Sequence, residues 1–428
     1  MQTNNRKPKV LILTLNSSYP LTHGGAIGQY YILDGLKDKV DFVYCTIVRD
    51  QEELNDIKLL QKKQPNLKIY FVDNTQQKKQ SLKQIIKKVI KFPYQIIKLF
   101  VLRLLNDTHN DFDLLNDDLR SSGLISINTD IDSKYIDLVE DVLQKENITQ
   151  VQLDFFATMP FALMLPPKVK KIFICHELRY KRLQLASESS NLSAAYKKYI
   201  IERMRFYEET ILQKMDCIVV LNEDDKQIAE KIVNNVVFAQ NAIPDEMIYR
   251  YEASKTFNRF IFAAPQYHTP NALGLSWFLD TIYIPNIQKI PFPVYVIGKW
   301  SKEYQKNYSK YKQIVFCGFV DSIQPYLENS ILINPILTGA GIRMKVMHAM
   351  ANKVPVFTTR FGAEGCYSDD EKSHLAFFDS PDEFMKIIES ANDTFLETLA
   401  LAGNIYYNTA FNKEKLLQKR LDVYNSDK

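Results

Sequence analysis

The sequence predicts an α/β protein with two doubly wound parallel sheets, and three observations predict it. Short, nearly continuous apolar runs recur along the 428 residues and alternate with stretches of helical spacing. That is the pattern of strands buried on both faces and joined by crossover helices. The series restarts after Asn241–Ala242–Ile243–Pro244, so two halves of comparable size, each Rossmann-like, are expected. Finally, Ile331–Asn334 reads as a strand, Gly339–Ala340–Gly341 as a tight loop and Val354–Thr358 as a second strand, with a helical pattern before it. This is a βαβ unit with cations at the mouth of its helix.

The elements follow in order. Val10–Leu15 is the first buried strand. It stops at Asn16, and the loop behind it holds Pro20, His23, Gly24, Gly25 and Gly28 before a helical pattern through Tyr30, Leu33 and Leu36. Val40–Val48, Leu67–Val72, Val151–Phe155, Lys171–Cys175, Cys217–Leu221 and Val236–Ala239 continue the first half. The second half offers Phe260–Ala263, Val294–Ile297, Ile314–Cys317, Ile331–Asn334, Val354–Thr358 and Ala376–Phe378. Pro335 stops the fourth of these, because a proline cannot donate to a ladder. From Asp382 onward helical spacing dominates. Domains at 1–240 and 241–405 are expected, followed by a terminal helix at 406–428. Ligands of open parallel sheets lie outside the carboxyl ends of the strands. The expected architecture is therefore two domains facing a cleft, lined by the loops after Leu15, Cys175, Ala263, Ile297 and Asn334.

Composition narrows the function. A hydrophobic content of 46% with 24% charged residues is ordinary for a soluble protein. A net charge of +4 gives no ground for a nucleic-acid partner. Cys45, Cys175, Cys217, Cys317 and Cys366 are scattered, and no pair has zinc-ligand or redox spacing. The opening MQTNNRKPK has no signal-peptide character, and no stretch reaches the ~18 apolar residues of a spanning helix. A cytoplasmic location is expected. No phosphate-cradling GxxxxGK[ST] is present. Asp111–Phe112–Asp113 and Asp130–Ile131–Asp132 lie outside any strand-end loop, so a metal site built on an Asp-x-Asp motif is not expected.

The most telling stretch is 334–365, NPILTGAGIRMKVMHAMANKVPVFTTRFGAEG. Glycines let backbone N–H groups approach a ligand, and a helix N-terminus favours an anion. Arg343 and Lys345, expected in the first turn of the helix, add charge and donors suited to a diphosphate. The spelling resembles the donor-sugar half of a GT-B glycosyltransferase, of the large retaining family numbered four (glycosyl transferases group 1). Lys345, Ala349–Met350–Ala351, Pro355–Val356 and the loop Gly362–Ala363–Glu364–Gly365 carry the resemblance. Its pair of glutamates is absent, since Ala340 and His348 stand at those positions. The resemblance implies a nucleotide-diphospho-sugar donor, with no cofactor and no required metal. The donor would be held by Gly298, Gly318, Gly339, Gly341 and His348, and Glu364 would either meet a sugar hydroxyl or simply sit in a turn. Arg343 and Lys345 would meet the leaving diphosphate. His348 either replaces the ribose-binding glutamate as a hydrogen-bonding partner or is merely tolerated there.

In the first half, His23–Gly24–Gly25 follows the first strand as a helix-opening loop. It is either a plain tight turn or the loop that the resemblance places near donor phosphates and acceptor. His176–Glu177–Leu178–Arg179 follows the strand ending at Cys175. The resemblance puts His176 beside the reacting sugar, whereas a solvated loop histidine is the plainer alternative. Arg179 and Arg182 either touch an acceptor phosphate or belong to a solvated face. Residues 74–106 hold eight Lys or Arg and no Asp or Glu, with apolar residues at helical spacing interrupted at Pro93. Such a segment either packs on the sheet or lies on an anionic membrane surface. The expected activity is transfer of a sugar to a glycan or lipid-linked acceptor in surface polysaccharide assembly. A nucleotide-sugar epimerase and a non-catalytic binding protein on the same scaffold remain open.

Overall fold

The computed structural model describes residues 7–75, 124–127, 131–188, 190, 192–249, 252–339, 343–367 and 374–426. The basic stretch expected at 74–106 lies, beyond Thr75, outside the described residues, as do Ala340 and Gly341. The chain divides into two compact units. The first comprises Met1–Val220, Lys226–Val237 and Arg420–Lys428; the second comprises Leu221–Asp225 and Phe238–Lys419.

The first unit is a 7-stranded sheet in the order β3-β2-β1-β4-β5-β6-β7. Its strands are β1 Lys9–Leu13, β2 Asp41–Val48, β3 Lys68–Asp73, β4 Gln150–Asp154, β5 Lys170–Cys175, β6 Cys217–Val220 and β7 Val236–Phe238. β1 runs parallel to both neighbours, with Leu11 opposite Val43 on one side and Val151 on the other. Val10, Leu11, Ile12 and Leu13 are fully buried, which is why this run contains no polar residue. Helices Gly24–Leu36, Gln51–Lys63, Ser133–Lys145, Arg179–Glu188 and Ala194–Leu212 lie between the strands in sequence. The tail of the last helix, Lys413–Asn425, is fastened here. The ammonium of buried Lys170 donates to Val423 O and Ser426 O, and Gln150 Nε2 donates to Tyr424 O at 2.7 Å.

The second unit repeats the plan in a 6-stranded sheet, β10-β9-β8-β11-β12-β13. Its strands are β8 Arg259–Ala263, β9 Val294–Ile297, β10 Ile314–Gly318, β11 Ser330–Asn334, β12 Val356–Thr358 and β13 Ala376–Phe377. Its core is aromatic: Phe384 meets Phe278 at 5.2 Å and Phe378 at 4.9 Å, both edge to face. Both units therefore have the Rossmann-like order expected, and each expected strand is present with ends shifted by a residue or two.

Two local expectations need correction. Phe155, expected to end β4, leaves the strand in the left-handed region at φ 69°. From there its ring packs against His176 (below). Arg343, expected inside the first helical turn, is the N-cap of helix Met344–Ala351, so its backbone lies just outside the helix. Among the described residues no helix is long and apolar enough to cross a membrane.

Candidate active site

In each sheet the chain reverses its direction of winding between two adjacent strands, β1 and β4 in the first and β8 and β11 in the second. In open parallel sheets ligands bind outside the carboxyl ends of the strands at such a switch point.

In the first unit, His23 caps helix Gly24–Leu36, its Nδ1 accepting the N–H of Ala26 at 3.2 Å. Although His23 is an exposed residue, lost hydration of its ring and, secondarily, neighbouring His176 lower its pKa. Gly25 is small for a definite reason. A Cβ there would lie 2.7 Å from Cζ of Phe155. Phe155 in turn stacks on the His176 imidazole, ring centroids 4.2 Å apart and planes 9° from parallel. His176 Nε2 lies 3.4 Å from Oδ1 of Asp154, at the end of β4. The structure thus gathers His23, Gly25 and His176 around Phe155, and it gives Gly25 a packing role.

Arg179 and Arg182 are engaged within the unit. Arg182 Nη1 donates to Glu177 Oε1 at 2.7 Å, and the Arg179 guanidinium lies over the Phe156 ring. Buried Glu208 accepts the otherwise orphaned N–H groups of Arg179 and Tyr180 at 3.0 and 3.1 Å, closing the start of that helix. Burial pushes the Glu208 carboxyl up to about 7.

In the second unit, Lys345 sits in the first turn of helix Met344–Ala351 and donates from Nζ to Asn271 Oδ1 at 2.8 Å. Asn271, behind Pro270 at the start of helix Thr269–Trp277, passes its own amide to Pro265 O at 2.9 Å. Burial first, and the charge of Arg343 second, lower the Lys345 ammonium to about 7. Arg343 lies over the Phe361 ring, donates from Nε to Phe361 O, and pairs with Glu364 at 3.2 Å. Gly339, at φ 120°, touches Pro270 with the space a Cβ would need, so the loop before the helix is glycine by necessity. Gly298 also has positive φ, and a Cβ on it would strike Ala264 O at 2.5 Å. Gly318 ends β10 in open space.

His348 is held by the segment around Met247. Its Nε2 lies 3.1 Å from Met247 O, which also accepts from Asn352 Nδ2 at 2.9 Å. Burial lowers the His348 pKa to about 4, so the ring is neutral at pH 7 and donates to that carbonyl. Cys45, Cys217 and Cys366 have thiols pushed up to about 12, 11 and 12 by burial, and none is a candidate nucleophile.

Residues 258–392 match the family model described as Glycosyl transferases group 1. The matched stretch lies within the second unit. It contains Gly298, Gly318, Gly339, Arg343, Lys345, His348 and Glu364, whereas His23, Gly24, Gly25 and His176 lie outside the match. A protein from Klebsiella pneumoniae described as an uncharacterized 44.6 kDa protein in the cps region is 24% identical over 200 residues. That alignment spans 44% of this chain and 50% of the relative, so the chain spans half the length of the curated relative it matches. Among solved structures, sucrose-phosphate synthase from Thermosynechococcus elongatus superposes with a TM-score of 0.66 at 12% identity, covering 98% of each chain. Anabaena HepE, in complex with UDP and glucose, gives 0.59 at 12% identity, covering 98% of this chain and 100% of that one. At such identities the likeness is one of fold alone, the GT-B architecture of two Rossmann-like domains.

The sequence reading missed Asp154, Phe155 and Asn271's hold on Lys345. A signal for the first was present: Gln150, Gln152 and Asp154 alternate with apolar residues in a strand at the middle of a parallel sheet, where polar side chains are costly.

Proposed function

We propose that this protein is a retaining glycosyltransferase of family four type, moving a sugar from a nucleoside-diphospho-sugar to a glycan or lipid-linked acceptor without a metal. The observation that carries the reading is the pair Arg343 and Lys345 beside the glycine loop at the carboxyl end of β11, within the group 1 domain. Negative charge grows on the diphosphate as the glycosidic bond breaks, and fixed cations lower that barrier electrostatically. An ammonium lowered to about 7 gains a proton and strength when a diphosphate arrives. Gly298, Gly318, Gly339, Gly341 and Glu364 would surround the rest of the donor. His176, with His23, Gly24 and Gly25, would meet the transferred sugar and the acceptor. His348 would act on the donor site through the 245–249 segment it holds. The UDP and glucose of HepE make UDP-hexoses the first donors to try, and the cps-region relative favours an acceptor of surface polysaccharide assembly. An anionic membrane surface is proposed as the partner of the basic stretch 74–106.

The test is a thermal-shift panel of nucleoside diphosphates and nucleotide-sugars on wild type and Lys345→Ala, followed by product analysis with the donor that binds. A ligand that binds only the folded state raises Tm by mass action. One nucleotide raising Tm in wild type and not in Lys345→Ala, with a transferred sugar of retained configuration, is the expected result. Binding without turnover points to a non-catalytic protein. Turnover of donor with no acceptor present points to an epimerase. No shift with any nucleotide rejects the donor site.

A further inference from the structure

The side chains beneath His176 are oriented in one direction only. Asp154 is buried, and its carboxylate accepts and cannot donate. Two amides converge on its Oδ2: Gln29 Nε2 at 3.0 Å and Gln152 Nε2 at 2.7 Å. Each amide is itself held by a buried tyrosine. The Tyr44 hydroxyl lies 2.8 Å from Gln29 Oε1 and 2.9 Å from Asn16 O, and Tyr424, near the end of the chain, donates to Gln152 Oε1. Because the carboxylate can only accept, both amides turn their NH2 groups to it and their oxygens to the tyrosines. That leaves Oδ1 for His176 Nε2, which therefore reaches it as an N–H. The Phe155 ring, stacked flat on the imidazole, holds the ring plane. Phe155 does so from a left-handed backbone, a conformation that persists where the surroundings impose it.

We infer that Asp154 is a positioning residue that fixes the neutral His176 ring with its proton on Nε2 and its lone pair on Nδ1. His176 then meets its ligand as a hydrogen-bond acceptor. It is suited to a sugar hydroxyl, which can donate, and unsuited to a phosphate oxygen, which cannot. This rests on the proposed glycosyl transfer only for the ligand being a sugar. The tautomer follows from the residues themselves. Tyr424 and Gln152 lie 272 residues apart and belong to the same device.

The experiment is two-bond 15N–1H correlation spectroscopy of 15N-histidine-labelled full chain, in buffer alkaline to the ordinary imidazole range. The variant His176→Gln identifies which of the six histidines gives which signals. Wild type is expected to show His176 as the Nε2–H tautomer. In Asp154→Asn the two glutamine donors keep the amide oxygen at the Oδ2 position, which turns the new NH2 toward Nε2. His176 is expected to switch to the Nδ1–H tautomer, and kcat for sugar transfer to fall about 10- to 100-fold with KM for the donor unchanged. A purely structural aspartate would change Tm and leave the tautomer alone. An Nδ1–H ring in wild type, an unchanged tautomer in Asp154→Asn, or a switched tautomer with undiminished kcat each overturns the inference. Should Asp154→Asn fail to fold, the wild-type tautomer decides. If the protein transfers no sugar at all, the function reading fails while the two tautomer measurements still judge Asp154.

Discussion

Arg343 and Glu364 face each other, Nη2 to Oε2, at 3.2 Å, with the arginine nearly buried and the glutamate half exposed. A diphosphate arriving at Arg343 has to compete with that carboxylate. Removing the competitor leaves a charged guanidinium short of a partner. Glu364→Gln is therefore expected to tighten binding of the free nucleoside diphosphate about 2- to 5-fold, in line with the ~0.5–1 kcal/mol of a partly exposed pair. Calorimetric titration of wild type and variant checks this. Weaker nucleotide binding in Glu364→Gln would mean that the carboxylate contacts the nucleotide itself rather than the sugar.

Lys345 ties nucleotide binding to pH. Its ammonium titrates at about 7 in the folded protein against 10.5 ordinarily. A diphosphate favours the charged form, so binding takes up a proton and weakens as pH rises above 7. Titrations at pH 8 in two buffers of different ionisation enthalpy should reveal uptake of up to one proton, and none in Lys345→Met. The sign for stability is the reverse of the usual lysine case. Between pH 7 and 10.5 the unfolded chain binds the proton and the native state does not, so wild-type stability rises across that window and the variant loses the rise.

His348 should make the second unit acid-sensitive. The native ring resists protonation down to about 4, while the unfolded ring takes a proton near 6.5. The unfolded state binds more protons between these values, so stability is lost as pH falls from 6.5 toward 4. From pH 7 to pH 5 the loss is on the order of 2 kcal/mol. In His348→Gln, whose amide can donate to Met247 O in the same way, the difference in Tm between pH 7 and pH 5 should shrink. An unchanged difference would deny His348 this role.

Gly25 tests the packing around Phe155. A methyl group there would lie 2.7 Å from that ring. Gly25→Ala should cost about 1–3 kcal/mol by overpacking and lower transfer activity through a displaced His176. The combination Gly25→Ala with Phe155→Leu should recover part of the stability without the activity. Equal activity of Gly25→Ala and wild type would uncouple the stack from His176.

The helix-opening loops and the strands were legible because each depends on its own neighbours in sequence. Val10–Leu13 is apolar throughout since both faces of β1 are covered, and Pro335 follows β11 where the ladder must stop. Arg343 and Lys345 could be singled out because a glycine loop before a helix is an anion site by local geometry alone. What a residue does with its neighbours was not legible in the same way. His348 occupies a position next to the expected donor residues in sequence, yet its ring turns to Met247, 101 positions earlier. The pairing depends on where the 245–249 segment comes to rest, and no local pattern specifies that.

By itself, the sequence determined two doubly wound sheets, the restart near Asn241 and a basic, glycine-gated helix start in the second unit. Apolar periodicity and backbone permissiveness act over a few residues and leave their mark in composition. Only the tertiary structure decided that Gly25 makes room for Phe155, that Glu364 holds Arg343, and that Tyr424 reaches back to orient Gln152 below Asp154 and His176. Those relations come from hydrogen-bonding demands of buried groups that meet only after the chain has folded, and satisfying them selects partners by proximity in space rather than by spacing in sequence.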